Sequence, residues 1–304
     1  MSILAAYFAT PRRLAGLATS AYLSYGLPVE KIMARKMHTA LEAVHGMIYF
    51  APEAATQFMG LGEQDDRTGY FAGRAAPMGA VSSQVVTATF YNFNPALVDQ
   101  AMAGAWELAD PADWTAARMR GVDGAMRRFF GEIIDGEMIT RAAELARVAA
   151  QACWAHGRPL AAGLLSLDWP EPAHLSLWHG ITISREFRGD GHVAALLTRD
   201  VGPMQALLLH AGEGKYPGEI LRAMRAWSEP EWNATRADLQ AQDLLNEEAL
   251  LTDKGRALRD GIEASTDALA MAPWEALGQE GCDELRDIGK QLRQTLVDGG
   301  AFSF

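Results

Sequence analysis

The chain has 304 residues, 49% of them hydrophobic and 21% charged, and a formal net charge of -11. That size and balance suit one large or two ordinary globular domains, and the acidity counts against a protein that holds nucleic acid through its phosphates, which needs a basic face. The two cysteines, Cys153 and Cys282, form no CxxC, which excludes a disulfide framework or a zinc-thiolate site and points to a reducing, cytoplasmic setting.

The opening MSILAAYFATPRRLAGLATSAYLSYG has apolar runs too short for a membrane span, and its arginines follow the first run instead of preceding it as in a secretory signal. Residues 1–30 read as an N-terminal extension, and the pattern beyond them would also suit a start at Met33. A membrane partner is not expected. Apolar residues then recur at helical spacing through Ile32, Met33, Met37, Leu41, Val44 and Ile48. Pro52 opens a short helix at the position proline prefers. SSQVVTATFYNF has serines suited to an N-cap but many β-branched and aromatic residues, so helix and strand compete; its helical neighbours favour helix. Further helices are expected after Pro95, after an Asp110 cap, and from a Thr140 cap to Gly157. A helix from about Ala173 is expected to break at RGDG, with Asp190 capping a second helix that restarts at His192.

The last third reads as three short helices, a small hairpin around LLNEEALL, and LTDKGR leading into another helix. Residues 202–270 there resemble winged-helix regulators of the MarR type, whose wing also ends in LTxxG before a helix. More broadly, VHGMIYFAPEA, GYFAGRAAPMG, VTATFYNFNPALV, LWHGITISREFRGDGHVAAL and LTDKGRAL resemble an actinobacterial family of helix-turn-helix proteins without a settled biochemical role. Members often carry histidine where this chain has Phe187 and Asn94. The resemblance implies a fold, not an activity. The expected fold is therefore mainly α, with a helical pocket-forming region at 31–200 and a winged-helix-like module with C-terminal helices at 201–304. A homodimer is compatible with it. The helix that would read DNA bases carries Glu229, Glu231, Asp238 and Asp243 against a single Arg236, and the wing tip NEE is acidic, so DNA is the weaker partner expectation.

Candidate chemistry gathers in LWHGITISREFRGDGHVAAL. On one helix His179, Thr182 and Glu186 are spaced by three and four residues and share a face. With His192 returning across the turn, His179, His192 and Glu186 could line one cavity, joined by His45 on the first long helix, as acid–base or ligand residues. Tyr49, Tyr70, Arg74, Tyr91, Asn92 and Arg185 are the expected substrate-binding set, the arginines placing an anionic group. Each residue also has an ordinary explanation: His45 as a core histidine, His192 as a helix-start residue, Asp190 as a cap, Arg185 and Glu186 as a solvated pair. Two or three histidines with a carboxylate could also hold a transition metal, and His45 or His179 could be an axial haem ligand, although no HExxH or HxH occurs. The expected function is a small-molecule pocket protein, either an enzyme using such chemistry, or a winged-helix regulator with an effector in the pocket, or an interaction module without chemistry.

Overall fold

The computed structural model describes residues 29–63 and 66–302. The extension expected at residues 1–30 falls almost wholly outside them. The described chain is mainly helical and forms no strand.

Its first half builds a bundle from α1 (Met33–Gly46), α2 (Pro52–Met59), α3 (Asp66–Ala75), α4 (Ser83–Phe90), α5 (Pro95–Met102), α6 (Ala105–Leu108), α7 (Pro111–Phe130) and α8 (Glu137–Gln151). Prolines open α2, α5 and α7 at the first turn, where their missing N–H costs nothing. Ser82 caps α4 by accepting from the Val85 amide, so the ambiguous SSQVVTATF segment resolves as helix. Thr140 does not cap α8. The helix starts one turn earlier, and the Thr140 hydroxyl donates to the Gly136 carbonyl from within it.

The central finding is α10, an unbroken helix of 25 residues, Ala173–Leu197, which runs straight through RGDG. The expected break does not occur, because tertiary partners claim three of its four residues: Arg188, which pairs with Glu263 and Asp267, Asp190 and Gly191. Asp190 caps another helix: its carboxylate accepts from the Ala161 amide at 3.0 Å, in the first turn of α9 (Pro159–Leu165). A Cβ on Gly191 would stand 2.8 Å from Nη1 of Arg158. Without one, that guanidinium lies over the Phe187 ring and donates to the carbonyls of Phe187 and Leu269. Two helical glycines cost roughly 1 kcal/mol each in propensity, and these contacts offset that cost.

Around α10 pack α8, α9 and α14 (Asp253–Leu269), while α15 (Ala272–Asp298) lies along α1 and α8. One large core spans Met33 to Ala301 and includes Trp274, Leu285 and Leu292 of α15, so this last helix packs into the body although it follows the module in sequence. A second core, from Ala195 to Ile262, is built by the end of α10, α11 (Pro203–Ala211), α13 (Glu229–Ala241) and α14, with Leu221 of α12 (Gly218–Met224) packed against it.

Helices α11 to α13 occupy the expected order. The two-stranded wing is not formed among the described residues; an isolated antiparallel bridge between Leu245 and Leu251 stands in its place. LTDKG has a local explanation. Thr252 caps α14 by accepting from the Gly255 amide, and a Cβ at Gly255 would sit 2.0 Å from the Leu244 carbonyl oxygen, which only glycine tolerates.

Candidate ligand-binding site

A cleft of about 1120 Å³ opens between α1, α2, α3, α7, α10, α15 and the α12 region. The adjoining side chains are organised around the Tyr49 hydroxyl. His45 lies one turn before it on the last turn of α1, fully buried, with its ring stacked on Trp178 of α10 at 5.7 Å. Its Nδ1 lies 3.0 Å from the Thr182 hydroxyl, and its Nε2 lies 2.9 Å from the Tyr49 hydroxyl. The proton positions follow from the partners. Thr182 has one proton and gives it to the Trp178 carbonyl at 2.8 Å, so His45 Nδ1–H donates to Thr182. His45 Nε2 is therefore bare and accepts from Tyr49. The Tyr49 oxygen in turn accepts from Nη2 of Arg118 at 3.0 Å. Burial, then the charges of Arg185, Arg118 and Arg74, hold His45 well below 6.5 and keep it neutral. Burial also raises the Tyr49 phenol above its usual 10, although Arg74 and Arg118 pull the other way.

A second layer carries charge. Glu186 accepts from Nη2 of Arg74 at 3.1 Å and from Nη1 of Arg185 at 2.8 Å. Burial alone would raise its pKa, but Arg185, Arg74 and Arg118 outweigh it and hold the carboxyl below the usual range. Arg185 also grips Glu42 of α1 at 3.0 to 3.3 Å, and Arg74 donates to the Tyr70 hydroxyl at 2.8 Å. Three guanidinium groups thus meet two carboxylates. Arg118 is the one without an acid: it is 6% exposed, its side-chain bonds go to Tyr49 and to the Gly73 carbonyl, and no carboxylate lies within ion-pair distance among the described residues. Arg74 keeps a buried Nε without a partner among the described residues. A desolvated cation short of counter-charge is costly, and an anion entering the cleft would offset that cost.

The expected site residues therefore separate. His45, Tyr49, Tyr70, Arg74, Arg185 and Glu186 come together; Tyr49, Tyr70, Arg74 and Arg185 line the cleft, with His45 and Glu186 behind them. His179 does not join them. It is buried against Trp169 at 5.0 Å, both ring nitrogens lack a hydrogen-bond partner, and burial lowers its pKa to about 4. His192 turns toward α14, where Nδ1 meets the Thr266 hydroxyl at 2.9 Å, and burial lowers its pKa to about 4 as well. Arg188 is paired with Glu263 and Asp267 of α14. Tyr91 and Asn92 join the two cores instead of lining the cleft. Tyr91 donates to the Val201 carbonyl at 2.5 Å, while Asn92 accepts from Nε of Arg225 through its side chain and from the Trp227 indole through its carbonyl.

For a transition metal, no group of three or more His, Cys, Asp or Glu side chains converges among the described residues. His45, the axial-ligand candidate on α1, has both ring nitrogens engaged. Sequence reasoning missed Arg118 and Glu42. Arg118 had a readable signal: it shares the buried stripe of α7 with Trp114, Gly121, Val122 and Ala125, where an arginine is out of place unless it has work to do.

These features define a mainly helical protein with a cation-lined cleft beside helices α11 to α13, the segment in which sequence places the helix-turn-helix. The chain belongs to a helix-turn-helix family, which matches residues 34–303. Neither a curated protein nor a solved structure matches it. No described helix is long and apolar enough to cross a membrane.

Proposed function

We propose that the protein binds a small organic anion in the cleft, with Arg118 and Arg74 receiving the anionic group and the Tyr49–His45 pair serving as the acid–base element. The observation that carries this reading is the buried Arg118 guanidinium, which has no carboxylate within ion-pair distance among the described residues and is bonded to the Tyr49 oxygen. Burial keeps His45 neutral, and the field of the nearby arginines adds to that effect. An anion placed beside them cancels part of that field and raises the basicity of Nε2. A proton leaving the substrate then passes to the Tyr49 oxygen as the phenolic proton passes to His45 Nε2. The resulting imidazolium is held at Nδ1–H by Thr182. Cys153 and Cys282 take no part: both are buried free thiols, pushed up to about 12 by burial.

The test is a panel of organic acids and matched neutral alcohols screened by thermal shift and calorimetry. Acids should stabilise the protein, alcohols should not, and Arg118→Lys and Arg118→Met should weaken the acids at least tenfold. Stabilisation indifferent to both substitutions would overturn the reading.

A second reading has its own observation. Tyr216, Met224 and Arg225, from the α12 region, line the same cleft as Arg118. A ligand there would touch both the body and the helix-turn-helix segment, as an effector of a winged-helix regulator does. Ligand-dependent retardation of promoter DNA would favour it over catalysis.

A further inference from the structure

The cleft is far larger than its cationic floor needs. A volume of about 1120 Å³ reaches the upper end of the roughly 300–1,000 Å³ typical of sites for drug-sized molecules. Its cations and its apolar groups are also sorted by depth. Arg74 and Arg118 are buried, whereas Phe50, Tyr216 and Met224 are 46%, 55% and 45% exposed where they line the same space. Phe302 stacks edge-on against Phe50 at 5.7 Å and extends that wall. Helix α12 contributes no buried residue of its own: Ile220 and Met224, one turn apart on it, are exposed, as is Tyr216 two residues before it, and Tyr216 and Met224 line the cleft. Such a face is unusual on a short helix unless something covers it.

Resting on the anion reading above, we infer that the ligand is an amphiphile: one anionic head on Arg118 and Arg74, and an extended apolar body against Phe50, Phe302 and the exposed face of α12. Charge complementarity fixes the direction of entry, because the head must reach the buried guanidinium groups and the body is left to the apolar mouth. A carboxylic acid and a phosphate monoester both supply such a head. An apolar body seated there would cover the exposed side of α12, which directly precedes α13.

The experiment measures binding of acetate, decanoate, decyl phosphate and decanol to the full chain by calorimetry, with hydrogen exchange of α12 as a second readout. Each methylene laid on an apolar wall contributes about three- to fourfold in affinity. Decanoate should therefore bind on the order of 100-fold tighter than acetate even if half its chain stays wet. It should slow exchange in α12 and lose at least tenfold in Met224→Asp, a substitution at an exposed position. Decyl phosphate binding more tightly than decanoate would assign the head as a phosphate, and the reverse as a carboxylate. Equal affinity for acetate and decanoate, both weakened by Arg118→Lys, would overturn the amphiphile and leave the anion reading standing. Decanol binding as tightly as decanoate, unaffected by Arg118→Lys, would overturn the anion reading instead. No binding by any of them at millimolar concentration would overturn both.

Discussion

Tyr49 answers two buried groups with one hydroxyl: it donates to His45 Nε2 and accepts from Arg118. Tyr49→Phe keeps the ring and removes both bonds, leaving an imidazole nitrogen and a guanidinium N–H buried and unpaired. An orphaned buried polar group costs about 1–3 kcal/mol. The variant should lose that order of stability, read as a lower urea midpoint at unchanged m-value; a midpoint equal to wild type would show that the hydroxyl is not held as described. His179 makes a different prediction, in pH. Its folded pKa of about 4 lies below the 6.5 of an unfolded histidine, so between those values the unfolded state binds the extra proton. Stability is thus complete above about pH 6.5 and falls as the solution is acidified toward 4, by at most about 1.4 kcal/mol per pH unit for each such histidine. His192 and His45 act in the same direction. His179→Phe should keep neutral-pH stability, since it removes a buried ring with two unpaired nitrogens, and should flatten the acid limb measured by denaturation between pH 6.5 and 4.5. Superimposable pH profiles would contradict a buried, neutral His179.

At the scale of elements, α10 separates what local sequence can say from what it cannot. Spacing put Thr182 and Glu186 on one face, because the turn of a helix fixes which side chains lie together. That this face meets the His45–Tyr49 helix depends on packing, since Thr182 bonds His45 and Glu186 bonds Arg74. The same logic put His179 on that face, and it fails there because His179 faces Trp169 at its edge, a neighbour supplied from outside the helix. RGDG reads as a turn because glycine and aspartate favour one in isolation. In the folded chain Asp190 is drawn to α9 and Gly191 to Arg158, partners about thirty residues away that no local rule contains. Arg118, by contrast, was legible locally: α7 carries several arginines, and its register separates the buried one from the exposed Arg127 and Arg128. A paired substitution tests the continuous helix. Gly189→Ala places its Cβ 3.4 Å from a Glu186 carboxylate oxygen, an ordinary contact, and should gain up to about 1 kcal/mol of helix propensity. Gly191→Ala drives its Cβ to 2.8 Å from Arg158 and 3.2 Å from Leu269, and should lose about 1–3 kcal/mol despite the same propensity gain. A turn at RGDG would make both substitutions destabilising, so opposite signs in thermal melts distinguish the two.

For the whole molecule, what matters is where charge of each sign lies. The net charge is -11, yet among the described residues six arginines border the cleft, Arg67, Arg74, Arg118, Arg185, Arg225 and Arg293, against two carboxylates, Glu42 and Glu63. The helix-turn-helix segment shows the opposite balance. Glu229, Glu231, Asp238 and Asp243 on and after α13 are exposed, as are Glu247 and Glu248 at the bridge, and Arg236 is the only base on that helix. Glu231 is also committed to the helix itself, closing a capping box with Ser228. Affinity for DNA rises with each phosphate neutralised and is strongest at low salt, so this surface should repel a duplex under the very conditions that favour binding. At roughly 50 mM salt, where a phosphate-contacting protein retards DNA strongly, the protein should leave the mobility of duplex DNA unchanged. Replacing Glu229, Glu247 and Glu248 together by lysine should create weak, sequence-independent retardation that disappears as salt is raised. Salt-sensitive retardation by the unaltered chain would overturn this view of the segment. Retardation that appears only when an organic acid is added would instead give the cleft a regulatory role, with α12 carrying the effect of the ligand to α13.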